Sequence, residues 1–166
     1  MAPVHCAAYL PQAPRFRAAW PQLVADTTVI LDHLAPRGIR TAGPHGHGEP
    51  LLTATTIIFN GRHPHARGDL YLSLDPRPVP GYSAQLGTDT LYTLTHCDTG
   101  NQPYNLAVTA VLLRARLLAP DHFVIGSCHS WTTGWRAARS LIHALFGLIP
   151  ITSQLTDPIQ GPAAAG

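Results

Sequence analysis

From Pro21 to Leu34 the chain carries a helical pattern, with Leu23, Thr27, Ile30, Leu31 and Leu34 on one face and Asp26, Asp32 and His33 away from it. Pro21 suits a first turn and Pro36 ends the run. Before it, residues 1–19 hold Pro3, Pro11 and Pro14 and read as an irregular N-terminal arm. After it, residues 35–52 form a loop of Gly, Pro and His too flexible to carry an element. Three strand patterns follow. Thr53–Asn60 is β-branched and aromatic and closes on the turn dipeptide Asn60-Gly61, while Leu70–Leu74 alternates with Leu70, Leu72 and Leu74 on one side. Thr88–Cys97 alternates as well, and the proline-rich stretch before it predicts a surface loop.

The C-terminal half has the sharper pattern. A turn at Asp98-Thr99-Gly100 leads to a helix capped by Asn101 or Gln102, with Pro103 in its first turn and Pro120 as its stop. That helix is apolar around most of its circumference, and its narrow polar stripe is Asn105, Thr109 and Arg116, so it predicts burial. Phe123–Cys128 is a continuous apolar run, as in a strand covered on both faces. The helix from Trp135 to Phe146 separates its faces, with Trp135, Ala138, Leu141, Ile142 and Leu145 inward and Arg136, Arg139, Ser140 and His143 outward. Gly147 terminates it, and residues 148–166 read as a flexible C-terminal tail. The order α-β-β-β-α-β-α predicts an α+β or small α/β globular domain over residues 20–147, built on one three- to four-stranded mixed sheet with two to three helices. The helix between the last two strands would be a right-handed crossover if those strands are parallel neighbours.

Composition narrows the classes of function. The chain has 166 residues with 45% apolar and 12% charged content, so it can bury a substantial core and is not disordered by charge. All basic residues are arginine and Glu49 is the sole glutamate, which together with abundant Ala, Pro, Gly and His points to a GC-rich genome. A net charge of +2 does not argue for nucleic acid without a local cluster. Cys6, Cys97 and Cys128 make no disulfide framework, no leader pattern opens the chain and no apolar run is long enough to span a bilayer. We therefore expect a soluble cytoplasmic protein without a membrane partner.

Candidate chemistry centres on two mirror-image doublets, His96-Cys97 and Cys128-His129, each at the end of a strand pattern. Brought to one sheet edge, they would offer the N and S ligands of a zinc site, the one cofactor the residues suggest. Strand alternation argues against it, because neighbouring residues point to opposite faces. Alternatively Cys97, just before a helix, could act as a nucleophile with His96 or His129 as base and Asp98 orienting it. A basic stripe of Arg136, Arg139 and His143 beside Trp131 and Trp135 could meet phosphates or bases, and Arg114 and Arg116 extend that anion-binding set. Arg114 sits opposite its helix's polar stripe and needs either a carboxylate, with Asp98 and Asp121 as candidates, or an escape to solvent. His45-Gly46-His47 with Glu49, and His63-Pro64-His65, read as solvated loops.

The run from Cys97 to Gly147, with IIFNG upstream, resembles a set of uncharacterised small proteins of GC-rich bacteria and their plasmids and phages. Shared features are a Cys-x-Thr turn, a Pro-Tyr helix start, the segment LAVTAVLLRA and a closing Leu-Phe-Gly, over roughly residues 57–147. Asn105 stands where the pattern has an acidic residue, and Cys128-His129 where it has Asp-Gly. No activity comes with the resemblance. We expect a non-catalytic accessory or interaction protein of mobile-element type, working through a protein partner or DNA. The alternatives are a nucleic-acid binder using the arginine-rich helix face and a zinc-binding or cysteine-dependent enzyme.

Overall fold

The structure is a computed structural model that describes residues 4–75, 85–86, 92–148 and 150–156. It is an α+β fold of three helices and two antiparallel sheets. In the first sheet, β1 (Val4–Tyr9) lies between β7 (Thr93–Asp98) and β8 (Phe123–Ser127), with β6 (Gln85–Leu86) beyond β7. In the second, β4 (Thr56–Gly61) pairs with β5 (Leu70–Ser73) on one side and with the two-residue strands β2 (Thr41–Ala42) and β3 (Leu51–Leu52) on the other. The helices are α1 (Pro14–Leu34), α2 (Asn105–Leu118) and α3 (Arg136–Phe146).

The sheet departs from the single mixed sheet expected. The strands β7 and β8 do run parallel, but each pairs antiparallel with β1, which separates them. The segment read as an irregular arm is thus an inner strand, and its side chains alternate with Ala7 and Tyr9 in the main core. Tyr9, Phe16 and Phe123 stack in parallel at centroid distances of 5.3 and 5.7 Å from Tyr9, so β1, α1 and β8 share one aromatic block. The helix α1 starts seven residues earlier than its apolar face suggested, at Pro14, and carries Pro21 in its interior. The burial of Phe16 and Trp20, at 2% and 1% exposure, outweighs the backbone bond that Pro21 removes.

The loop expected at residues 35–52 contributes β2 and β3, because Thr41–Ala42 and Leu51–Leu52 find partners on β4. The part of the third strand pattern before residue 92 lies outside the described residues, as does the proline-rich stretch apart from residues 75, 85 and 86. At the other end, where a flexible tail was expected, the last described residues reach the first sheet. Leu155 bridges Ile125 in parallel along the outer edge of β8, and Thr156 donates to the Ile125 carbonyl. Residues 157–166 lie outside the described part. Among the described residues, no helix is long and apolar enough to cross a membrane.

Candidate functional site

The cross-strand register sets a row of side chains on the helix-covered face of the first sheet. His5 of β1 faces Cys97 of β7 on one side and Ser127 of β8 on the other. Above this row, Asn105 opens α2 and Trp135 immediately precedes α3. The helix α2 has no side-chain cap at Tyr104, so neither Asn101 nor Gln102 fills that role. Asn105 turns its amide toward the sheet instead.

His5 is fully buried and hydrogen-bonded through both ring nitrogens, with Nδ1 2.9 Å from Ser127 Oγ and Nε2 2.7 Å from Asn105 Oδ1. The neighbours decide which nitrogen carries the proton. Ser127 Oγ already accepts the indole N–H of Trp135 and the backbone N–H of His129, both at 3.0 Å. Its remaining capacity is its own proton, which it donates to His5 Nδ1. Nε2 therefore carries the ring proton and donates to Asn105 Oδ1, whose second lone pair accepts the Thr99 hydroxyl at 2.8 Å. The rings of His129 and Trp135 stand edge-on to His5 at 5.7 and 5.5 Å. Burial pushes the His5 pKa down, the bond to Asn105 opposes that, and nearby His129 adds to the depression. The imidazole is neutral.

Ser127, His5 and Asn105 thus have the connectivity of a nucleophile, a base and an orienting group. The occupancy of Ser127 Oγ speaks against that use. Both acceptor lone pairs bind N–H groups, and attack on an electrophile would require breaking one of these bonds in a largely buried setting. As it stands, the chain of bonds fastens β1, β8, α2 and the start of α3 to one another.

The doublets do reach one edge of the sheet, but strand alternation and the interposed β1 keep their members apart. Cys97 points toward α2 and donates its S–H to the Gly68 carbonyl, whereas His96 is exposed on the face it shares with Cys6. Two strand spacings separate β7 from β8, so the Cα atoms of Cys97 and Ser127 stand roughly 10 Å apart, too far for adjoining thiols to share a bond. Cys128 is exposed and accepts the backbone N–H of Val4, and His129 lies against His5. Among the described residues, no three His, Cys, Asp or Glu side chains are grouped as metal ligands would be. Nor is Cys97 primed as a thiolate. Burial raises its pKa, and Asp69 and Asp98 raise it further.

The proposed anion-binding residues divide into two groups. Arg114 is a structural cation: its Nε donates to Asp26 at 2.6 Å, and its guanidinium lies 4.5 Å from the Phe146 ring centroid. The partner is neither Asp98 nor Asp121, and Asp26 is buried rather than turned from the helix face. Arg116 binds the carbonyls of Pro120 and Phe123 at the turn from α2 into β8, and burial lowers its pKa. On α3, Arg139 stacks over Trp131 at 5.1 Å and holds the Thr132 carbonyl, while Arg136 and His143 are exposed.

Sequence reasoning missed His5 and Ser127. The signal for His5 was the alternation of Val4-His5-Cys6-Ala7-Ala8-Tyr9, obscured by the surrounding prolines. Ser127 carried none, because one serine ending an apolar run is unremarkable in sequence. No family model matches the chain, and no curated protein or solved structure matches it either.

Proposed function

We propose that this chain is a small non-catalytic accessory or interaction protein, in keeping with its resemblance to proteins of plasmids and phages. The observation that carries this reading is the saturated Ser127 hydroxyl, which donates to His5 while accepting from Trp135 and His129. Cys97 supports it, since a buried thiol with a raised pKa is a poor nucleophile. The groups best suited to chemistry are used to join strands and helices.

Reactive probes test this directly. Exposure to a fluorophosphonate and to iodoacetamide should leave Ser127 and Cys97 unmodified in the folded protein, with exposed Cys128 alkylated first. Stoichiometric labelling of Ser127, or hydrolysis of an activated ester that Ser127→Ala or Cys97→Ala abolishes in a protein with an intact urea transition, would overturn the reading.

A further inference from the structure

A recess lined by cations lies where β2 meets β4. The antiparallel register pairs Ala42 with Asn60 and Thr41 with Gly61, and one step further Arg62 N–H donates to the Arg40 carbonyl at 3.2 Å. Two arginines therefore stand opposite each other at the end of the ladder, an arrangement that like-charge repulsion disfavours unless a counter-charge sits nearby. Glu49 pairs with Arg62 at 3.3 Å, and its side chain is 84% exposed, so water screens the pair. Among the described residues, no carboxylate pairs with Arg40.

His63 and His65 continue the same wall, and Pro103 and Tyr104 complete a cavity of about 300 Å³ with no acidic residue in its lining. Its histidines are positioned. His65 Nδ1 is 2.9 Å from Gln102 Oε1, and the His63 ring stacks on His47 at 4.8 Å. Gly61 allows the Tyr104 ring to close against the strand, since a Cβ there would come within 2.6 Å of that ring.

We propose that this recess binds a phosphate group, either on a small phosphomonoester or as the free ion. Guanidinium groups present paired N–H donors that match phosphate oxygens; Arg62 already reaches Glu49 and the Thr41 carbonyl through Nη2, and a dianion adds charge that Arg40 shares with it. An adjoining groove of about 740 Å³ shares Arg40 and Arg62 and is lined by Leu31, Pro36 and Leu52 with Asp32 and Glu49. The body of an ester lies there, its carbon skeleton over the apolar residues and its hydroxyl groups donating to the carboxylates. None of these residues belongs to the His5 network, so the site stands apart from the non-catalytic reading.

Calorimetric titration of the full chain with inorganic phosphate, glycerol phosphate and glycerol, at constant ionic strength, tests the site. Saturable binding of the two phosphates but not of glycerol is expected, with affinity falling tenfold or more in Arg40→Ala and in Arg62→Ala. Arg40 is exposed, so its loss leaves the fold intact, and Arg15→Ala on α1, also exposed, serves as the unchanged control. Tighter binding of glycerol phosphate than of phosphate assigns the site to an ester, and equal binding assigns it to the free ion. No saturable binding of either phosphate up to about 10 mM, or binding that Arg40→Ala leaves unchanged, overturns the proposal. Consumption of glycerol phosphate by the protein would count instead against the non-catalytic reading.

Discussion

His5 concentrates the chemistry of this protein in one side chain that cannot gain a proton without breaking a bond. Protonated at Nδ1, it would present a second hydrogen to a Ser127 hydroxyl whose lone pairs are already occupied. Its folded pKa lies below the ordinary 6.5 because burial penalises the charged ring. The unfolded chain therefore binds the proton more readily, and this contribution to stability is complete above 6.5 and falls as pH drops through and below that value. Urea midpoints recorded across that range should decline on the acid side, and the decline should shrink in His5→Phe. Nitrogen chemical shifts of the His5 ring should report the Nε2–H tautomer. Ser127→Ala leaves an indole N–H, a backbone N–H and an imidazole nitrogen without their partner, and should cost about 2–4 kcal/mol in denaturant unfolding. A loss below about 0.5 kcal/mol would show that the network does not fasten the fold.

At the scale of elements, one ion pair knits all three helices. Asp26 of α1 and Arg114 of α2 meet with side-chain exposures of 5% and 12%, and Phe146 of α3 covers the guanidinium. Breaking a buried pair strands the remaining charge, so Arg114→Met should destabilise by about 3–5 kcal/mol. The double variant Asp26→Leu/Arg114→Met removes both charges and should recover most of that loss, because the pair's attraction offsets little more than its desolvation. Chemical denaturation of the two variants side by side checks the ordering. Arg114 on an apolar face called for either a partner or an escape to solvent, and the sequence did not identify Asp26 as that partner. Asp26 falls near the edge of the helical pattern of α1, and only the packing of α1 on α2 turns it inward.

Over the whole molecule, residues 4–10 matter more than their composition suggests. The strand β1 supplies both the pairing surface for β7 and β8 and the ring at the centre of the His5 network. Removing residues 1–12 should abolish the cooperative urea transition and the near-ultraviolet dichroism of the packed aromatic residues, where an irregular arm could be cut with little effect. The amino-acid pattern by itself determined a mixed class, α+β or small α/β, the elements β4, β5, β8, α2 and α3, and the inward face of α3, because these depend on local periodicity and helix-stop residues. Strand partners and sheet order were decided by tertiary structure, since hydrogen bonding between distant segments leaves no spacing to read. The same physics placed His5 against Ser127 and Asn105, more than ninety residues away, and set Arg40 opposite Arg62. It also separated the paired doublets, because alternation along each strand sends adjacent side chains to opposite faces whatever chemistry they carry.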